Sequence, residues 1–322
     1  MGGDYAPGEI VKGGVLAAEE TEVILVGPVD IIEAELAKYS VEHLPIRCVQ
    51  ADEIIVDGES PAMALRQKPN ASVAIAARLV RAGEADAMLS AGSTGALVAS
   101  ALQILGASEG IDRPVAGGPI LGFAPKTVIL DAGGNVDCKP HHLLNFAIVG
   151  CVYAQRMLGV TNPTVALLNV GTEEGKGNEL VRESYPLFME SGLNFIGNIE
   201  GNDIPYGRAN VIVCDGFVGN ILLKFTEGLG ESISRWLRTS LGGRLPPSDI
   251  ESLCDELVSL TNVADTFGGG PLLGINGVAV VMHGRSRAPQ VVRGILQAKM
   301  AVESGLVATL SSELARIRER RR

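Results

Sequence analysis

Six short apolar runs, each followed by a polar turn and usually by an amphipathic stretch, constrain this chain more than any other feature. They cover residues 22–26, 87–90, 127–130, 164–170, 210–214 and 278–282. Runs this short and this continuously apolar read as strands buried on both faces, and a strand-then-helix rhythm implies right-handed crossovers within a parallel sheet. The expected fold is therefore α/β, a doubly wound and mostly parallel sheet, with residues 1–322 forming a single domain. In such sheets ligands lie beyond the C-terminal ends of the strands, so the residues after each run are the first candidates for a site.

Those residues form five turns: Ala91–Gly95, Asp131–Asp137, Asn169–Asn178, Asp215–Asn220 and His283–Ser286. Each is polar and carries glycine. A helix that begins just after such a turn offers free N–H groups and a positive dipole end to an anion. The net charge of −10 argues against general nucleic-acid binding, which needs concentrated Lys and Arg. No apolar run approaches the roughly 18 residues that span a bilayer, and the N-terminus lacks a basic start and an apolar stretch, so a cytoplasmic location is expected. Five scattered cysteines, never spaced C-x-x-C, argue against both a disulfide framework and a zinc site.

The stretch "LLNVGTEEGKGNEL" resembles a nucleotide phosphate loop but breaks its spacing. Only three residues separate Gly171 from Gly175, and Gly177 follows Lys176 where a magnesium-binding hydroxyl would stand. The G-x-G triplets at Gly175, Gly228 and Gly268 fail the dinucleotide fingerprint, since Leu180, Ile233 and Leu273 occupy the third glycine position. There is no H-E-x-x-H, no G-x-S-x-G and no metal-spaced His or Cys cluster. No metal and no cofactor are expected.

A set rich in donors remains: Ser93, Thr94, Asn135, Asn169, Asn178, Asn220, Lys176 and His283, with the backbone of Gly95, Gly171, Gly175, Gly177 and Gly219. It suits a small multivalent oxyanion, inorganic phosphate above all, or the oxyanion of a tetrahedral acyl intermediate. Each assignment has a structural alternative. Ser93 and Thr94 are also good helix caps, Lys176 is also an ordinary loop lysine, and His283 could be a satisfied core histidine. Asp131, Asp137 and Asp215 either cap helices or orient the neighbouring amides and lysines. From about 217 to 262 the pattern becomes that of a helical hairpin, broken by Gly242-Gly243 and Pro246-Pro247. Its apolar faces pack on the sheet or on a second subunit, and Trp236 among arginines leaves a membrane or partner role open. The C-terminal "RIRERRR" reads as a solvated helix end.

The strings "SAGSTGALVA", "GIDRP", "LDAGGNVDCKPHHLLNFA", "LLNVGTEEGKGNEL", "FIGNIEG", "VCDGFVGNILLK" and "GGGPLLGINGVAVVMHGRS", in that order, resemble the bacterial phosphate acyltransferases of phospholipid synthesis over essentially the whole chain. The resemblance implies a three-layer α/β/α fold like that of phosphotransacetylases and isocitrate/isopropylmalate dehydrogenases. It implies reversible transfer of a long-chain acyl group from acyl carrier protein to inorganic phosphate, giving acyl phosphate for phospholipid synthesis. It also implies a homodimer at the membrane periphery, with the membrane surface and the membrane-bound glycerol-3-phosphate acyltransferase as further partners. On this reading Lys176, Asn220 and His283 carry the chemistry, and the glycine turns hold the phosphate. Family members begin with an apolar strand leading into "DAMGGD", whereas this chain starts at "MGGDYAPGEI", so that first strand is expected to be missing before Met1.

Overall fold

The computed structural model describes residues 2–56 and 58–321, with side chains through Ile317 in the last helix. Met1 and Arg322 therefore lie outside the described residues, as do the side chains of most of the arginine-rich C-terminal string. Two compact units divide the chain, one made of 1–110 with 267–308 and the other of 111–266 with 309–322.

The first unit opens with α1 (Gly8–Ala17), β1 (Val23–Gly27), α2 (Val29–Leu36) and β2 (Ile46–Gln50). It continues through α3 (Pro61–Gln67), α4 (Ser72–Arg81), β3 (Ala87–Ser90) and α5 (Thr94–Ser100), which passes into a π turn at Ala101–Leu105. Strands β1 and β2 pair in parallel as a sheet of two. Helix α4 forms because Val73, Ala76, Ala77 and Val80 recur at i, i+3, i+4 and i+7, and Arg78 and Arg81 suit its C-terminal dipole. That apolar face packs with Met88, Leu97 and Ala279 in one of this unit's core clusters.

The second unit holds β4 (Val115–Gly118), β5 (Val128–Leu130), α6 (Pro140–Leu158), β6 (Thr164–Leu168), α7 (Glu179–Met189), β7 (Asn194–Ile199) and β8 (Val211–Val213). It then runs through α8 (Gly216–Leu241), α9 (Pro247–Thr261) and the short α10 (Val263–Phe267). Strands β5, β8, β6 and β7 lie side by side in parallel, and β4 joins β5 antiparallel. Helix α6 is the inner helix, with Leu143, Leu144 and Phe146 almost fully enclosed. Each such side chain contributes roughly 1.5–3 kcal/mol of transfer free energy. Pro140 starts α6 at its first turn and Gly159, at φ +67°, stops it in the left-handed region.

The chain returns to the first unit with β9 (Gly270–Leu273), β10 (Val278–Val281) and α11 (Ala288–Glu303), and ends in α12 (Leu306–Arg321). Strand β10 runs parallel to β3 and antiparallel to β9. The architecture is α/β with a mostly parallel sheet, as the alternating pattern requires. All six apolar runs are strands, with ends that differ from the runs by two residues at most. Strands β2, β4, β7 and β9 lack that signature. Strand β7 reads Asn-Phe-Ile-Gly-Asn-Ile and buries only its last two residues, so no continuous apolar run marks it.

Helices α8 and α9 form an antiparallel pair. The Ser234 hydroxyl donates to the Cys254 carbonyl at 3.4 Å, and Arg238 makes a two-pronged contact with Glu251. Their close approach depends on Gly230, where a Cβ would collide with Thr261. No helix among the described residues is long and apolar enough to cross a membrane.

Candidate functional site

In the second unit β5, β8 and β6 are adjacent and parallel, so the turns that follow them emerge at one sheet edge. The turn after β5 is organised by Asp131, which is fully buried. Its Oδ1 accepts N–H bonds from Gly133 at 3.0 Å and Gly134 at 2.8 Å, and its Oδ2 accepts from the Asn135 amide at 2.7 Å. Burial pushes the carboxyl above the usual range, and these donors oppose that push. The Asn135 amide, itself buried, also donates to the Pro114 carbonyl at 3.0 Å, so this side chain braces the turn from beneath. Asp137 is exposed, and Arg113 binds its backbone carbonyl.

After β8, Asp215 caps α8 by accepting from the Val218 N–H at 2.9 Å. One turn later Gly219 lies so close to the Asp131 carbonyl that a Cβ could not fit. This approach brings Asn220 beside the first turn, its Oδ1 3.3 Å from where a Cβ on Gly133 would lie. The Asn220 side chain is exposed, and among the described residues no partner occupies its amide.

After β6 the loop 169–178 is braced at two points. Asn169 donates to the Lys176 carbonyl at 3.0 Å, and Asn198 of β7 donates to the Glu173 carbonyl at 3.0 Å. Gly177, at φ +97°, is required because a Cβ there would strike Asn169. Asn178 caps α7 through Val181 N–H at 3.0 Å. Gly171 is packed against the Lys176 stem, whereas Gly175 is open. Lys176 itself is exposed, and its ammonium pairs with no carboxylate among the described residues.

The first unit carries the remaining candidates. Ser93 occupies the N-cap position of α5 but makes no capping bond through its side chain, Thr94 is exposed, and Gly95 packs against Pro61. His283, just past β10, is half-buried and its carbonyl accepts from Ser286 N–H at 3.0 Å.

One cluster escaped the sequence reading. Asp112, from "GIDRP", meets His141 and His142 at the start of α6, with Asp112 Oδ2 3.1 Å from His141 Nε2 and 3.9 Å from His142 Nε2. The separation of 29 positions from Asp112 to His141 hid it; the visible signal was the adjacent pair in "CKPHHLL". His142 Nδ1 accepts the Lys139 N–H at 3.1 Å, which places the proton of the neutral ring on Nε2. Burial and the neighbouring His141 lower its pKa, favouring that neutral form. A cation here would find His141 and Asp112 ready as ligands, but His142 only after that hydrogen bond breaks.

The chain as a whole matches known proteins. The family described as fatty acid synthesis protein matches residues 1–309. A phosphate acyltransferase from Desulfitobacterium hafniense is 44% identical, covering 98% of this chain and 96% of that protein. One from Moorella thermoacetica is 45% identical, covering 96% and 93% respectively. The chain belongs to the phosphate acyltransferase family. It is an acyltransferase enzyme of lipid synthesis. Among solved structures, a phosphotransacetylase from Streptococcus pyogenes is similar at TM-score 0.61 and 17% identity, covering 91% of each chain. A branched-chain phosphotransacylase from Enterococcus faecalis is similar at TM-score 0.55 and 16% identity, covering 94% of this chain and 97% of that one. At those identities the likeness shows the fold.

For an acyltransferase, the state of the thiols near the turns decides whether cysteine is a ready nucleophile. Cys138 donates to the Asn135 carbonyl at 3.2 Å, and burial with the charges of Asp131 and Asp215 pushes its pKa up to about 11. Cys214 is raised further, chiefly by burial. Both are protonated at neutral pH, the opposite of an activated thiolate.

Proposed function

We propose that this enzyme transfers a long-chain acyl group from the thioester of acyl carrier protein directly to inorganic phosphate. A phosphate oxygen attacks the thioester carbonyl carbon, the C–S bond breaks, and the carrier leaves as a thiolate that then takes up a proton. Phosphate at neutral pH is already an anionic nucleophile and a thiolate leaves readily, so positioning and charge stabilisation supply the catalysis.

The observation that carries this reading is the Lys176 loop, a braced turn at the C-terminal edge of a parallel sheet whose ammonium pairs with no carboxylate among the described residues. Lys176 is assigned to the phosphate, and the open amide of Asn220 to the developing oxyanion. Gly171, Gly175, Gly177 and Gly219 let backbone approach, while Asp131, Asn135, Asn169, Asn178 and Asp215 hold the turns in shape. Ser93, Thr94, Gly95 and His283 are assigned as an anion-binding turn of the first unit.

Phe217, Ile221, Phe225 and Leu229 stand at i, i+4, i+8 and i+12 on α8 and are all exposed. We assign this row and the rest of the hairpin to the homodimer contact and to docking at the membrane surface, where the acyl product is consumed by the membrane-bound glycerol-3-phosphate acyltransferase. The cytoplasm is the expected compartment.

The test is acyl phosphate formation by Lys176→Ala with long-chain acyl carrier protein and saturating phosphate. Turnover is expected to fall at least 100-fold, and unchanged turnover would refute the assignment. Running the intact enzyme with acyl-CoA in parallel identifies the donor; equal kcat/KM for both would overturn the preference for the carrier protein.

A further inference from the structure

Asp112, His141 and His142 take no part in the reaction as assigned, yet their polar atoms converge. Asp112 Oδ2 is 3.1 Å from His141 Nε2 and 3.9 Å from His142 Nε2, and the donor atoms of the three side chains all lie within 4.8 Å of one another. A tetrahedral ion with bonds of about 2.0–2.1 Å to nitrogen and oxygen sets its ligand atoms about 3.3 Å apart. The two contacts to Asp112 bracket that spacing. His142 adds a second observation, because its side chain is only 6% exposed while its Nε2 faces Asp112 at 3.9 Å. That separation is too long for a hydrogen bond and suits an atom placed between the two groups.

Both sides of the cluster are held by other contacts. Next to Asp112, Ile111 is buried, Arg113 donates to the Asp137 carbonyl at 3.0 Å, and the Pro114 carbonyl accepts from Asn135 at 3.0 Å. On the other side Pro140 starts α6, and His142 Nδ1 accepts the Lys139 N–H at 3.1 Å. The nearby Cys138 thiol is turned to the Asn135 carbonyl and is no part of the cluster.

The surroundings choose the ion. Arg113 and Lys139 place positive charge near His142, and the start of α6 adds the positive end of its dipole. Calcium and magnesium need several oxygen ligands and find one carboxylate here, so this setting repels them. An ion of the zinc class gains bonds to two imidazole nitrogens, which offset that repulsion. Asp112 and His141 are exposed, so water reaches the remaining coordination position.

We propose that Asp112, His141 and His142 form a site for a divalent transition-metal ion of the zinc class, with Asp112 Oδ2 and the two Nε2 atoms as ligands and water as the fourth. Neutral His142 carries its proton on Nε2 while Nδ1 accepts from Lys139. On binding, the metal takes Nε2, the ring proton passes through water to Nδ1, and the exposed Lys139 turns its N–H to solvent. The ion thereby clamps residues 112–114 to α6, and those residues brace the turn 131–137.

Calorimetric titration of the full chain with Zn2+ at neutral pH tests this, beside His141→Ala and Asp112→Ala, both at exposed positions. Wild type should bind a single tight equivalent. Each variant should bind it at least about 100-fold more weakly, since even the loss of a group that orients a ligand costs about 10–100-fold. Nitrogen-15 NMR of the imidazoles should show the His142 proton moving from Nε2 to Nδ1 as Zn2+ is added, a change that a purely structural role of these residues would not produce. Absence of binding by wild type, unchanged affinity in either variant, or a His142 ring that keeps its proton on Nε2 at saturating Zn2+ would overturn the proposal. Equal affinity for Mg2+ would overturn the choice of ion.

Discussion

The Asn135 amide donates to the Asp131 carboxylate at 2.7 Å, and both side chains are buried beneath the turn that follows β5. Together with the Gly133 and Gly134 N–H groups, this bond opposes the upward push that burial gives the Asp131 carboxyl. Asn135→Ala removes one donor and leaves a buried carboxyl oxygen without a partner, which costs about 1–3 kcal/mol. Thermal unfolding should report a clear fall in Tm. A Tm equal to wild type would mean that the pair does not hold this turn.

Two glycines of α8 should respond in opposite directions to the same change. A Cβ at Gly219 would overlap the Asp131 carbonyl, so Gly219→Ala forces the helix away from β5 and should destabilise by about 3 kcal/mol or more. Gly228 is exposed with nothing within 4 Å of the added carbon, and Gly228→Ala should stabilise by about 0.5–1 kcal/mol through helix propensity. Urea unfolding of the two variants gives the comparison. A loss in both would show that the whole of α8 resists added bulk.

The same contrast explains what the sequence made legible. Continuous apolar runs such as Val-Ala-Leu-Leu in β6 announce a strand buried on both faces, and the polar turns after them follow from parallel topology. Roles within those turns were not legible, because the same residue type serves as brace, cap or open donor depending on its neighbours. Asn135, Asn178 and Asn220 are indistinguishable by type, yet the first is buried under Asp131, the second caps α7 and the third is open. The Asp112 and His141 contact depends on pairing across 29 residues, and no local pattern encodes that.

Buried thiols should make the protein alkali-sensitive. Burial raises Cys138 to about 11 and Cys151 to about 12 from an ordinary 9.0. Above pH 9 the unfolded chain releases these protons while the folded chain keeps them, so the folded state binds more protons and stability falls as pH rises. Their contribution is fully present below pH 9 and is lost as pH rises through about 11 to 12. Urea midpoints measured under reductant at about pH 8 and about pH 10 should fall further in wild type than in Cys138→Ser/Cys151→Ala. Parallel slopes would show that neither thiol contributes.

The bond from Asn169 to the Lys176 carbonyl predicts a kinetic effect separable from stability. Loop 169–178 is largely exposed, so Asn169→Ala should change Tm little. It releases the segment that carries Lys176, and the ammonium must then be ordered anew in each encounter with phosphate. That ordering costs about 1–2 kcal/mol per residue freed, enough to raise the phosphate KM roughly five- to thirtyfold. Gly177→Ala should have a similar effect by a different route, since a Cβ at φ +97° is strained and would push against Asn169. If both variants kept the wild-type KM for phosphate while Lys176→Ala lost turnover, the lysine would act without help from the loop's shape, and the bracing role of Asn169 would be wrong.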